Sequence, residues 1–113
     1  MENQNWAREI NIDITVCDPR GNILQMNPHA AESFSNYGGE ALIGTNLLDC
    51  HPEPAKTKLK GMLERAEENI YTIEKGGKRN LIAQVPWYRD GKFAGLVEFN
   101  IPLPGMLPHL KRD

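Results

Sequence analysis

Little in this sequence narrows a function at once, and each shortage excludes something. Cys17 and Cys50 are the only cysteines, and neither sits in a ligand-spaced pattern. A disulfide scaffold or a zinc site is therefore not implied, and both read as thiols in a reducing cytosol. His29, His51 and His109 add no metal-ligand spacing, and the adjacent pair Cys50-His51 would rarely reach one ion together. No apolar run approaches the roughly 20 residues of a membrane span. The opening MENQNWAREI lacks the apolar stretch of a secretory leader. Basic side chains do not outnumber acidic ones, 13 against 15, so nucleic acid finds no electrostatic footing. No Ser or Cys has a base at a recognisable spacing, and the charges read as a solvated surface. These absences leave a non-catalytic cytoplasmic chain of 113 residues, enough for one core without metal or disulfide support.

What is present is strongest between Asp18 and Phe34. Ile12 to Cys17 alternates apolar with polar or small residues, the period of a half-buried strand. Asp18-Pro19-Arg20-Gly21 then makes a tight turn, with Pro at fixed φ and Gly free to take positive φ. Ile23 to Met26 returns as a second strand. Asn27-Pro28 opens a short helix, Asn as the cap and Pro where its missing N–H costs nothing. Ala30, Ala31 and Phe34 share one face of it.

Ahead of this unit, Asn5 to Ile10 reads as a short helix with Asn5 as cap and Trp6 and Ile10 one turn apart. After it, Gly38, Gly39 and Gly44 break up the chain and leave one helical turn over Glu40 to Ile43. A long helix follows over Pro54–Glu68, capped by Asp49 or a neighbour, with Pro52 and Pro54 tolerated at its start. Ala55, Leu59, Met62, Leu63 and Ala66 recur as one apolar stripe. Three strands complete the pattern. They run over Asn69 to Lys75, Lys78 to Tyr88 and Lys92 to Ile101, joined by Gly76-Gly77 and Asp90-Gly91. Two strands, helices, then three strands predict an α+β fold, a five-stranded antiparallel sheet with helices packed on one face.

Asp18, Gly21, Ile23, Asn27, Ala30, Ala31 and Phe34, with the order of elements from Ile12 to Ile101, resemble a PAS domain, a fold related in architecture to profilin. The resemblance divides the chain into a helical cap at 1–11, a PAS domain at 12–102 and a Pro-rich tail at 103–113. It implies a sensor or signalling module with a cavity between long helix and sheet, and a homodimer formed through Trp6, Ile10 and the outer sheet face. An unidentified signalling protein would be the further partner. Pro102, Pro104 and Pro108 exclude the continuing helix through which such domains often pass a signal, so the expectation is a stand-alone module.

The expected ligand-binding residues are His51, Leu59, Met62, Leu63, Tyr71, Ala83, Val85, Val97 and Phe99. Ile14, Val16 and Leu81 are expected on the same inner sheet face, and Gln84 is a further polar candidate. The cofactor is left open. Haem-binding PAS domains of oxygen-sensing kinases carry their ligating His on the long helix after a Pro-Glu-Pro segment. Pro52-Glu53-Pro54 matches that segment, but Leu59 stands at the ligand's position, which leaves His51 as the alternative ligand. It would need its ring turned into the cavity and a partner on its other nitrogen. Flavin photochemistry of the LOV type is disfavoured. Gly44-Thr45-Asn46 is followed by Leu47 where that subgroup has its reactive Cys, and Cys50 falls three residues late. The remaining alternative is a bare dimerisation module with a filled core.

Overall fold

The computed structural model describes residues 6–113. The expected cap Asn5 lies outside them, and Trp6–Arg8 form a single 3-10 turn. The strands are β1 (Asp13–Cys17), β2 (Ile23–Met26), β3 (Asn69–Lys75), β4 (Lys78–Arg89) and β5 (Lys92–Pro102). They form one antiparallel sheet in the order β2-β1-β5-β4-β3. The helices are α1 (Pro28–Ser33), α2 (Leu47–Cys50) and α3 (Ala55–Arg65), with 3-10 turns at Ser35–Tyr37 and Gly39–Leu42 between the first two.

Asn27 does far more than cap α1. Its Oδ1 accepts from the backbone N–H of Ala30 and of Ile14, both at 3.0 Å, while its Nδ2 donates to the carbonyls of Ala7 and Ile12 at 2.9 Å. A buried amide with two donors and both acceptor sites in use leaves no desolvation cost standing. One side chain thus ties the helix start, the edge of β1 and the N-terminal turn together.

α3 is shorter than its apolar stripe suggests. It ends with Ala66 at φ 51°, whose N–H returns to the Met62 carbonyl, so Ala66 closes the helix rather than extending its face. Leu59, Met62 and Leu63 are buried against Cys17 and Leu96, whereas Ala55 is exposed. Asp49 does not cap α3. Leu47–Cys50 is a helix of its own, capped by Asn46, whose side chain accepts from Leu48 N–H at 2.8 Å.

The two faces of the sheet are opposite to the sequence expectation. Leu96 turns to the helices, and so does Phe93, three residues away. The register explains this: Trp87 pairs with Gly95 and Tyr88 with Phe93, leaving Ala94 as an extra residue. One inserted residue exchanges the faces of everything beyond it. The insertion brings Phe93 to the side of Leu96, and regular alternation from the buried Leu96 puts Val97 and Phe99 on the outer face with their cross-strand partners Val16, Val85, Ile14 and Ala83. Thr15, Gln84 and Glu98 form the inward row between them.

Gly95 makes this possible. Its φ is +130°, and a Cβ there would stand 1.8 Å from the Cys17 carbonyl oxygen. The same carbonyl accepts the Trp87 indole N–H at 3.1 Å. Gly95→Ala is expected to lower unfolding free energy by about 2–4 kcal/mol, from overlap and from a conformation closed to L side chains. Gly91→Ala, where nothing lies within 4 Å of the added carbon, should cost only about 1 kcal/mol for its positive φ. Urea unfolding of the two variants measures the difference.

Candidate functional site

Above the inward face lies a cavity of about 750 Å³, within the range of small-molecule sites. Its floor is the sheet: Thr15 and Cys17 from β1, Ile23 and Met26 from β2, Tyr71 from β3, Gln84 from β4, Leu96 and Glu98 from β5. Its roof comes from the short elements, through Phe34, Tyr37, Leu42, Leu47, Cys50 and His51, and from α3 through Leu59. The roof is thin because 3-10 turns and a four-residue helix cannot present a continuous apolar stripe.

The polar groups on the floor are ordered. Asn69 Nδ2 donates to Gln84 Oε1 at 3.3 Å, which turns the Gln84 amide so that Nε2 donates to Glu98 Oε2 at 2.8 Å. Burial, with the Glu98 carboxylate adding to it, pushes the Tyr71 phenol above its ordinary pKa. In the roof, His51 Nδ1 lies 2.6 Å from the Leu47 carbonyl. A carbonyl only accepts, so Nδ1 carries the proton of that bond.

Of the residues expected at the site, His51, Leu59 and Tyr71 line the cavity, as does Gln84. Met62 and Leu63 do not line it and lie in the packed cluster with Cys17 and Leu96. Ala83, Val85, Val97 and Phe99 are not on the cavity, because Gln84, Leu96 and Glu98 face it and strand alternation turns their neighbours outward. Ile14, Val16 and Leu81 share that outer side, Leu81 through its pairing with Ile101. Sequence reasoning missed Thr15 and Glu98, which alternate with Val16, Val97 and Phe99 and read there as a solvent face. It set Cys50 aside, yet Cys50 contributes to the roof.

Haem would ask two things of this cavity. An axial ligand is provided for: the His51 ring lines the space and its second nitrogen is fixed. Two propionates need donors or cations, and no Lys or Arg lines the cavity, whose floor instead carries Glu98. Among the described residues no group of three or more His, Cys, Asp or Glu could hold a metal ion, and no helix is long and apolar enough to cross a membrane.

No protein-family model matches the chain, and no curated protein is similar to it. Solved structures are similar in fold. The PAS domain of Bordetella pertussis BvgS is 15% identical, with TM-score 0.65 over 91% of this chain and 85% of that one. The PAS domain of the histidine kinase ThkA is 18% identical, with TM-score 0.63 over 81% and 99%. The Aer2 receptor of Vibrio cholerae, described as a dual PAS-heme oxygen sensor, is 14% identical, with TM-score 0.61 over 82% and 95%. The five-stranded antiparallel sheet and its helices are those of a PAS domain.

The two thiols are unequally placed. Cys17 is 1% exposed. Burial pushes its pKa up, with the Asp18 and Glu98 carboxylates adding and a Leu96 backbone hydrogen bond opposing. Cys50 is exposed. Since the thiolate is the reactive form, iodoacetamide at pH 8 should alkylate Cys50 in the native protein. Cys17 should react only after denaturant is added, as peptide mass mapping would show.

Proposed function

We propose that the chain is a non-catalytic, cytoplasmic sensor module that binds a small molecule in the cavity between the sheet and its helical roof. The observation that carries this reading is the 750 Å³ space itself, with an apolar roof and an ordered polar floor. A filled core would have no use for a hydrogen-bonded row of Asn69, Gln84 and Glu98 beneath it. The likeness in fold to domains of a histidine kinase and of an oxygen receptor supports a signalling role. Ligand acts by favouring the arrangement of roof and sheet that it binds better.

The proposed output is a homodimer contact, with a signalling protein as the further partner. Trp6 is 67% exposed. The turn that carries it shares a groove of about 260 Å³ with Ile14, Val16 and Leu24 on the outer side. Val85, Val97 and Phe99 extend that apolar face, each half-buried. Ile10 is half-buried beside the turn.

One observation favours haem as a second reading, the hydrogen bond that fixes His51 Nδ1 on the Leu47 carbonyl. Haem bound there would supply a gas- or redox-sensitive iron. The lack of cationic groups on the cavity makes this the weaker of the two.

Native mass spectrometry of freshly purified protein should show a bound small molecule, and a visible spectrum decides the haem reading by a Soret band that His51→Ala removes. A colourless protein of apo mass that no compound from a fragment library stabilises would leave the interaction module instead. In sedimentation velocity, Trp6→Ala should shift the population toward monomer by about tenfold in dissociation constant, the scale of one exposed aromatic anchor. An unchanged profile would remove Trp6 from the interface.

A further inference from the structure

The acceptors of the cavity are better provided for than its cations, and this specifies the ligand. No Lys or Arg is among the lining residues. Glu98 takes a donor on Oε2 from Gln84, and among the described residues nothing donates to Oε1. Gln84 offers no choice in this, because its own oxygen is committed to Asn69. In the roof, His51 Nδ1 donates to the Leu47 carbonyl, and the tautomer this bond selects leaves Nε2 as an acceptor. Two elements on opposite walls thus present acceptors, one of them a carboxylate. Apolar side chains lie between them, Phe34 and Leu59 above and Ile23 and Leu96 below, and the hydroxyls of Thr15, Tyr37 and Tyr71 add neutral donors but no charge.

We propose that the cavity selects a ligand bearing a primary amine on an apolar body and rejects carboxylates and phosphates of the same size. The amine donates to Glu98 Oε1, with His51 Nε2 as the acceptor available to a second polar group. This deepens the sensor reading above and rests on its cavity.

The physical reasons lie in the charges that line the site. A charge-assisted bond from an ammonium to a carboxylate is about twice as strong as a neutral one. An anion entering here would meet no cation and stand near a like charge. Tyr71, whose phenol is held neutral by burial and by Glu98, gives one neutral donor and does not replace a cation. Hydroxyl compounds fall between the two, since they donate without charge.

Three probes of one shape separate these cases: 2-phenylethylamine, 2-phenylethanol and 3-phenylpropionate, titrated into the full chain by calorimetry at pH 7. The expected order is amine tightest, alcohol about tenfold weaker, as one charge-assisted bond implies, and no saturation with the carboxylate. Glu98→Gln, which keeps the shape and removes the charge, should weaken the amine more than the alcohol and so close the gap between them. The wild-type order decides by itself if that variant fails to fold. Carboxylate binding equal to or tighter than amine binding overturns the proposal and leaves the cavity reading intact. So does amine binding that survives Glu98→Gln undiminished. If none of the three binds at millimolar concentration while the protein is folded, the cavity reading fails and the proposal with it.

Discussion

The close approach of β5 to β1 at Gly95 is the constraint on which this structure depends. A backbone carbonyl, that of Cys17, occupies the place where any other residue at position 95 would carry its Cβ. The Trp87 indole reaches the same carbonyl from β4. With β5 held there, Leu96 meets α3 and Glu98 meets the hollow, while the extra residue at Ala94 brings Phe93 to the same side as Leu96. The function proposed for the cavity follows from a carbonyl wedged against a glycine.

The segment above the hollow is tied to the sheet by polar bonds at several points. Asn27 fastens the start of α1 to β1. Asp13 Oδ1 accepts from Ser33 Oγ at 2.9 Å and lies 2.6 Å from His29 Nδ1, which fixes the end of α1 to the same strand. Asn46 donates to Asn22 Oδ1 and the Arg20 carbonyl, both at 2.9 Å, and so pins the start of α2 to the hairpin turn. Asp18 organises that turn. Burial alone would raise its carboxyl, but hydrogen bonds from the Asn22 side chain and from the Asn22 and Arg20 backbone outweigh this and hold it below the ordinary range. Its contribution is therefore complete at neutral pH and is lost only as pH falls through the lowered value. Between these fixed points the roof spans the floor without touching it everywhere.

Much of the fold was legible in the residues. Turn chemistry at Asp18-Pro19-Arg20-Gly21, the Asn27-Pro28 helix start, and the Gly76-Gly77 and Asp90-Gly91 turns all fall where the structure places chain reversals or helix ends. The stripe Leu59, Met62, Leu63 is the buried face of α3. The site was legible only in part, and for a definite reason. Apolar residues at alternate positions were read as the inner face. Here the outer face carries Val16, Val85, Val97 and Phe99, while the inner one carries Thr15, Gln84 and Glu98 over the cavity. Alternation reports that a strand has two unlike faces. It does not say which one is covered by helices when the other is itself apolar. The inserted residue at Ala94 compounds this, since it joins Phe93 to the stripe of Val97 in sequence and to Leu96 in space.

The central claim is therefore one of orientation, that Leu96 and Cys17 face α3 while Val97 and Phe99 face away. Nuclear Overhauser contacts in a methyl-labelled sample test it directly. Cross-peaks from the Leu59 and Leu63 methyls to Leu96, with none to Val97 or Phe99, are the predicted result. Cross-peaks from those α3 methyls to Val97 or Phe99 would contradict it, and would return the apolar row to the interior.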